Sequence, residues 1–428
     1  MIKTVSPAHS LQGTITPPPD KSISQRAAIF GLLHDGKSVI KNYSQANDPQ
    51  STLNCVQLLG AEVTQLAGVV TIEGCGRYGI QPVSDELDCG NSGTAMRLLS
   101  GVLVGAGAAV KLIGDPSLSS RTMTRIITPL EKMGAHILAR NGAYAPLFVT
   151  REDRLTPLEF ELPIPSAQLK SCILLAGLFG ETPTTVIETV PSRDHTERLL
   201  NLKVEEQDGK KVISSSIVDD IPNQSYTIPA DFSAASFWLV AGSIVPDSEI
   251  RMEGVGLNPS RNALLEILKQ MGADITIENE HMEGTEPAGD IIVRSAGLRS
   301  IHIKEELIPN CIDELPIIAV AMTFAYGTSI ISGAEELRHK ETDRIKAIAK
   351  MLKAVGANFE EMDDGLVIRG NPDHTFDYAS FRSFHDHRIA MASAVLSLKG
   401  KQASEIEDAE SAAVSYPGFW EDLESLSE

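Results

Sequence analysis

Apolar positions at helical spacing, then a Gly-Ala pair, then an alternating strand-like stretch form a phrase that recurs along the chain. It occurs at Leu58-Leu59-Gly60-Ala61-Glu62-Val63 and at Leu130-Glu131-Lys132-Met133-Gly134-Ala135-His136-Ile137. It returns at Leu268-Lys269-Gln270-Met271-Gly272-Ala273-Asp274-Ile275 and at Leu352-Lys353-Ala354-Val355-Gly356-Ala357-Asn358-Phe359. Ahead of the last copy, Ile345, Ile348, Ala349, Leu352 and Val355 mark one apolar helix face. Glycine just past a helix end takes the left-handed cap that other residues resist. Gly60, Gly134, Gly272 and Gly356 are therefore expected to be structural. The copies lie roughly 70 to 85 residues apart, with one gap of double length between Gly134 and Gly272. A degenerate copy is predicted inside that gap, at Thr196-Glu197-Arg198-Leu199-Leu200-Asn201 followed by Val204-Glu205-Glu206, without its Gly-Ala. Such a period indicates a repeated supersecondary unit too small to bury its own core. Packing several units together buries the helices.

The polar stretch Pro222-Asn223-Gln224-Ser225-Tyr226-Thr227-Ile228-Pro229 separates two halves of similar length. Thr16-Pro17-Pro18-Pro19-Asp20 marks a second crossing, because a proline triplet is stiff and extended. The tail Glu405 to Glu428 is acidic but keeps Tyr416, Pro417, Phe419 and Trp420, and is expected to pack.

Composition narrows the function classes. A chain of 428 residues exceeds one typical core. The longest weakly polar run, Leu98 to Val110, is broken by glycines and too short for a membrane span. Met1 to Pro7 has neither a signal-peptide apolar region nor the arginines of a transit peptide. Cys55, Cys75, Cys89, Cys172 and Cys311 are odd in number, scattered and without a CxxC pair, as reduced cytosolic thiols would be. The net charge of −20 argues against nucleic acid and anionic membrane as partners. A site for an anion must then be built from cations gathered against the global field.

Such cations sit at predicted helix starts. In Asp88-Cys89-Gly90-Asn91-Ser92-Gly93-Thr94-Ala95-Met96-Arg97, two glycines bracket small polar residues before a helix expected near Thr94. Free amides there favour an anion, and Arg97 can close on it as a two-pronged donor. The loop is not a Walker motif, because no Gly-Lys-Ser/Thr follows. In Asp20-Lys21-Ser22-Ile23-Ser24-Gln25-Arg26, either Asp20 or Ser22 can cap the helix. Lys21 meets the unfavourable end of the helix dipole, a conflict that a bound anion would offset. Arg121 lies in a second basic segment, Pro116 to Arg125. Ser166-Ala167-Gln168 offers a hydroxyl and an amide at another helix start, and Ser192-Arg193-Asp194-His195 is a weaker copy whose histidine is expected at the surface or in a cap. Asp313 and Glu314 precede an apolar helix, Ile317 to Phe324, where acids are favoured on dipole grounds alone. One of them, held near cations, can take a proton from an alcohol. In Arg338-His339-Lys340-Glu341-Thr342-Asp343-Arg344, Lys340 and Arg344 are expected to repel each other on one helix face, at about 0.2–0.5 kcal/mol. His385-Asp386-His387-Arg388 opens a further apolar helix, and its spacing argues against zinc. Lys21, Arg26, Arg97, Arg121, Lys340, Arg344 and Arg388 together suggest one anion-binding cleft between two domains.

In this order these motifs resemble those of the 5-enolpyruvylshikimate-3-phosphate synthase family over essentially the full chain. The carrying segments are Asp20 to Arg26, Gly90 to Arg97, Ser166-Ala167-Gln168, Lys340 to Arg344 and Asp386-His387-Arg388. The resemblance implies an α/β (α+β) chain of two similar domains. Each holds three β-α-β-α-β-β repeats with helices inside and sheets outside, the inverse α/β barrel of enolpyruvyl transferases. The chain would cross twice, near residues 17–20 and 222–230, so that residues 1–19 join 229–428 and residues 20–228 form the other domain. The implied reaction moves the enolpyruvyl group of phosphoenolpyruvate to the 5-hydroxyl of shikimate 3-phosphate and releases phosphate, on the route to chorismate and the aromatic amino acids.

By motif match, Lys21, Ser22, Arg26, Ser166, Ala167 through its backbone, Gln168, Asp313 and Lys340 would hold shikimate 3-phosphate. Lys21, Gly93, Arg121, Gln168, Arg344 and Arg388 would hold phosphoenolpyruvate, with Arg97 supporting the loop. Asp313 is the implied base, Glu341 the acid, and Lys21 a partner in proton transfer. No metal or organic cofactor, no nucleic acid and no membrane is implied, and a cytoplasmic monomer is expected. Two departures stand out. Ala167 replaces a serine common among relatives, and Val414, in Val414-Ser415-Tyr416-Pro417, stands where some carry a lysine. The nearest rival is the sister enzyme acting on UDP-N-acetylglucosamine, which uses a cysteine on the loop that here runs from Gly114 to Arg121 without one. A non-catalytic repeat scaffold would explain the repeats but not cations gathered at helix starts.

Overall fold

The computed structural model describes residues 1–151 and 154–427. The chain divides into two compact units. One comprises Met1–Pro18, Pro229–Met282 and Pro287–Glu428, called here the C-terminal-half unit. The other, the N-terminal-half unit, comprises Pro19–Ile228 with Glu283–Glu286.

The repeating phrase becomes a repeating sheet. In the strand set Glu86–Asp88, Val110–Ile113, His136–Arg140 and Tyr144–Thr150, the first two pair in parallel. The second then pairs antiparallel with the last, whose other edge takes the third. The same order holds for Glu159–Glu161, Thr184–Glu188, Lys203–Gln207 and Lys210–Ser215, and for His302–Ile303, Gly327–Ile331, Asn358–Met362 and Gly365–Gly370. Six small sheets result among the described residues.

The N-terminus completes two sheets of its unit. Gln12–Ile15 runs parallel to Glu249–Gly256 as the missing first strand of that repeat. Ile2–Val5 pairs antiparallel with Ser404–Glu407 in the last repeat. The chain must therefore leave this unit within the proline triplet, after Pro18, and return at Pro229.

Helices lie inside each unit. Phe232–Ile244 is buried at every position, as a helix apolar all round must be. Strand faces alternate between core and solvent, as in Tyr144–Thr150. In the N-terminal-half unit, helices Gly93–Ala106 and Ala167–Gly177 approach so closely that a Cβ on Gly101 would overlap the Cys172 carbonyl oxygen.

The four caps take positive φ: Gly60 at 111°, Gly134 at 98°, Gly272 at 91° and Gly356 at 67°. The degenerate copy is helix His195–Leu200, and Asn201, φ 50°, fills the glycine position. Asparagine tolerates that conformation where most residues do not. In the tail, Phe419 stacks on Trp238 at 5.2 Å, and the Trp238 indole N–H donates to the Tyr416 hydroxyl at 3.0 Å. No described helix is long and apolar enough to cross a membrane.

Candidate active site

In the N-terminal-half unit, Asp20 is the cap that the sequence left open between two residues. Its carboxylate accepts from the Ile23 N–H at 2.7 Å and starts helix Lys21–Leu33. Lys21 opens that helix with Nζ 3.0 Å from Asp48 Oδ2. Asp48 thus supplies negative charge that the dipole argument had left to a ligand. Gln25 Nε2 donates to Ser92 Oγ at 2.5 Å and to Thr52 Oγ1 at 2.8 Å. Ser92 in turn caps helix Gly93–Ala106, accepting from the Ala95 N–H at 3.0 Å. The Lys21 helix and the glycine loop are locked to each other by this amide.

Gly93 sits between two guanidinium groups. A Cβ there would lie 3.0 Å from Arg97 Nη1 and 3.5 Å from Arg121 Nη1. Arg97 donates to Gln168 Oε1, and Gln168 Nε2 donates to Thr94 Oγ1 at 2.9 Å. Arg121 donates to Asn91 Oδ1 at 2.8 Å and to Ser117 Oγ at 3.3 Å. Gly93, Arg97, Arg121 and Gln168 therefore share one neighbourhood. Ser166 caps helix Ala167–Gly177 through the Leu169 N–H at 3.3 Å, which leaves Ala167 at the first helical position.

Arg26 is only 3% exposed. Its Nε donates to Thr196 Oγ1 at 2.9 Å, its Nη2 to Ser171 Oγ at 3.2 Å and its Nη1 to the Ser22 carbonyl at 3.1 Å. Burial pushes its pKa down to about 10, against the pull of Glu197 and Asp20, and neighbouring Arg193 adds to the fall. A buried guanidinium bonded to neutral oxygens, with a second arginine near, suits a phosphate. His195 is not at the surface. It is 1% exposed, with Nδ1 2.8 Å from Glu286 Oε1, so its ring is held by an acid far away in sequence.

The C-terminal-half unit gathers the remaining candidates around one carboxylate. Asp313 Oδ1 lies 3.3 Å from Lys340 Nζ and 3.3 Å from Arg344 Nη1, and Oδ2 lies 3.9 Å from Arg388 Nη2. Arg388 Nη1 also donates to the Asp313 carbonyl at 3.0 Å and to Ser233 Oγ. Glu341 Oε2 is 2.6 Å from Arg344 Nη2. Asp386 grips Arg344 with two oxygens, at 2.8 Å to Nε and 3.3 Å to Nη2, and caps helix His387–Ser397 through the Arg388 N–H. Asp386 is thus a holder of arginines. Burial alone would lower the Arg344 pKa, but Asp386, Glu341 and Asp313 overcome it and raise it above its ordinary value.

The expected clash between Lys340 and Arg344 is absent. Helix Arg344–Ala354 starts only at Arg344, and Lys340 is extended, at φ −85° and ψ −157°. The Asp313 carboxylate lies between the two cations, so the helix-face penalty does not apply. Glu314, at the start of helix Leu315–Thr323, has both oxygens 3.0 Å from Arg261 Nη1 and its Oε1 3.5 Å from Arg388 Nη1. Val414 ends the short 3-10 helix Ala409–Val414.

Sequence reasoning passed over Asp48, Lys170, Glu188, Glu197 and Arg261, which are all buried and ion-paired. Charged residues in a linear sequence read as solvated, and only tertiary contact shows otherwise. Gln25 lay inside the Asp20 to Arg26 motif, and its signal was its place four residues after Lys21, on the same helix face.

The family model for EPSP synthase (3-phosphoshikimate 1-carboxyvinyltransferase) matches residues 5–423. A 3-phosphoshikimate 1-carboxyvinyltransferase of Salinibacter ruber is 51% identical over the whole of both chains. One from Geobacillus thermodenitrificans is 45% identical over 97% of each. A solved EPSP synthase from Acinetobacter baumannii superposes with a TM-score of 0.87 at 37% identity, covering 100% of this chain and 98% of that one. The enolpyruvyl transferase NikO from Streptomyces tendae, 16% identical at a TM-score of 0.75 over 99% and 97% of the chains, shares the fold. With two units of repeated sheets around buried helices and a match along nearly its whole length, this chain belongs to the EPSP synthase family.

Proposed function

We propose that this chain transfers the enolpyruvyl group of phosphoenolpyruvate to the 5-hydroxyl of shikimate 3-phosphate, releasing phosphate. The step belongs to the shikimate pathway and feeds aromatic amino acid biosynthesis. The observation that carries the site assignment is the Asp313 cluster, a carboxylate with Lys340 and Arg344 at 3.3 Å and Arg388 at 3.9 Å. Those residue types suit a reaction that deprotonates an alcohol beside two anionic substrates.

In this assignment Lys21, Ser22, Arg26, Ser166, Gln168, Asp313 and Lys340 hold shikimate 3-phosphate, and Ala167 adds its backbone N–H. Lys21, Gly93, Arg121, Gln168, Arg344 and Arg388 hold phosphoenolpyruvate. Asp313 takes the proton of the 5-hydroxyl, whose oxygen bonds to C2 of phosphoenolpyruvate. Glu341 delivers a proton to C3, which becomes a methyl, with Lys21 sharing in the transfer. Glu341 takes a proton back from that methyl, which re-forms the C2–C3 double bond and breaks the C2–O bond to the phosphate. Phosphate leaves with the electron pair, its charge met by the arginines. Shikimate 3-phosphate and phosphoenolpyruvate are water-soluble, and the assignment goes with a cytoplasmic enzyme acting as a monomer.

Phosphate release with phosphoenolpyruvate and each acceptor in turn tests the assignment. Release is expected with shikimate 3-phosphate alone. Release only with UDP-N-acetylglucosamine would assign the sister reaction, and release with neither would leave a binding scaffold.

A further inference from the structure

We propose that Lys170 is a positioning residue for shikimate 3-phosphate: through Glu188 and Glu197 its ammonium ties two segments assigned to that substrate, the Ser166-Ala167-Gln168 helix start and the seat of Arg26, to the Ser192 turn. The inference rests on the function proposed above. Lys170 lies one turn beyond the Ser166 cap, its backbone N–H donating to the Ser166 carbonyl at 3.0 Å. Its side chain is fully buried, with Nζ 2.8 Å from Glu188 Oε2 and 2.6 Å from Glu197 Oε1.

Each carboxylate holds a further part of the site. Glu188 Oε1 accepts from the Ser192 N–H at 3.2 Å and from the Ser192 hydroxyl, which fixes the turn that carries Arg193. Glu197 sits in helix His195–Leu200 beside Thr196, whose hydroxyl receives Arg26 Nε at 2.9 Å. Ser171, next to Lys170, bonds both the Thr196 hydroxyl at 2.7 Å and Arg26 Nη2 at 3.2 Å. The ammonium is therefore the node that joins the Ser166-Ala167-Gln168 helix start, the Ser192 turn and the seat of Arg26.

Stability does not account for the arrangement. Burying an ammonium and two carboxylates is expensive, and an apolar trio of similar volume often serves as well or better. What the ions supply is direction, because the ammonium is aimed at one oxygen of each carboxylate and the other Glu188 oxygen is held by Ser192. Within this group Arg26 and Lys170 balance Glu188 and Glu197. Burial pushes the Glu197 carboxyl up against the pull of Lys170, and Glu188 adds to the rise. Without the ammonium, two buried carboxylates face each other, and one must bind a proton or turn away.

The test uses the full-length enzyme and steady-state kinetics with both substrates. The unchanged enzyme comes first, since no turnover there would reject the proposed function and leave the role of Lys170 out of the question. Lys170→Met should raise KM for shikimate 3-phosphate on the order of tenfold, with kcat and KM for phosphoenolpyruvate moving by less than about threefold. The rise should be larger at about pH 8.5 than at about pH 6.5, because high pH forces both carboxylates to ionise. Lys170→Met with Glu188→Gln restores charge balance and keeps an amide oxygen for Ser192. Its KM for shikimate 3-phosphate should return to within about threefold of the original. An unchanged KM in the single variant, or an equal rise in single and double, overturns the proposal. Should Lys170→Met not fold, Lys170→Gln takes its place under the same two criteria.

Discussion

At Asp313 one carboxylate meets three cations, Lys340, Arg344 and Arg388, and Arg344 and Arg388 are themselves held by Asp386 and Ser233. The geometry survives removal of the negative charge if the shape stays. Asp313→Asn should therefore keep shikimate 3-phosphate binding within about tenfold, while kcat falls on the order of a hundredfold or more, as loss of a general base does. Calorimetric binding beside turnover checks this, and full turnover in the variant would remove Asp313 from the base role. Gly93 gives a second prediction. It opens helix Gly93–Ala106, where alanine is the better helix former by about 1 kcal/mol. Gly93→Ala should fold and melt no lower than the parent. Its methyl, 3.0 Å from Arg97 Nη1, displaces that guanidinium and with it Gln168. KM for phosphoenolpyruvate should rise by about tenfold, more than KM for shikimate 3-phosphate. Equal KM values for phosphoenolpyruvate in parent and variant would show that the ligand does not approach Gly93. The residues proposed to touch substrate were named through the motif resemblance, because a hydroxyl at a helix start serves equally as a cap, as Ser92 and Ser166 do. The residues that hold them were not legible, since nothing in Lys170 or Asp48 as a letter distinguishes a buried ion pair from a surface charge.

At the scale of elements, helix ends carry most of the information. Gly60, Gly134, Gly272 and Gly356 announced four of the repeats, and the fifth was visible through Asn201, which occupies the same left-handed position. Boundaries were less legible where a cap competes with its neighbours. Lys340 looked like a helix residue four before Arg344, yet Asp343 takes the capping position and leaves Lys340 extended. Asp343 accepts from the Lys346 N–H at 3.2 Å and pairs with Arg338 at 3.0 Å. Partial burial pushes its pKa up, but the Lys346 N–H and Arg338 outweigh it, and the net result is below the ordinary 3.8. The folded pKa is thus lower than the unfolded one. The stabilisation is complete above the unfolded value and disappears as pH falls through the folded value. Asp343→Ala should lose about 1 kcal/mol at neutral pH, the worth of a helix cap, and the gap to the parent should close in acid below about pH 4. Thermal melts across that range check the sign, and a gap that widens in acid would contradict it.

Over the whole molecule, a chain of net charge −20 concentrates cations in the two sets of helix starts where two anionic substrates are proposed to bind. The repeat period revealed the architecture, and the prolines at 17–19 and 222–229 lie where the chain passes between its units. That Gln12–Ile15 and Ile2–Val5 would each complete a sheet begun far along the chain was not legible, because strand pairing at such distance leaves no local signal. The bond of phosphoenolpyruvate that breaks identifies the reaction. Enolpyruvyl transfer cleaves carbon–oxygen, whereas phosphoryl transfer cleaves phosphorus–oxygen. Phosphoenolpyruvate with a heavy-oxygen label in its bridging position, incubated with the enzyme and shikimate 3-phosphate, distinguishes the two by phosphorus NMR. Enolpyruvyl transfer predicts that the released phosphate carries the label, in equal amount to a shikimate 3-phosphate bearing the carboxyvinyl group on its 5-oxygen. Unlabelled phosphate, or none, would contradict it.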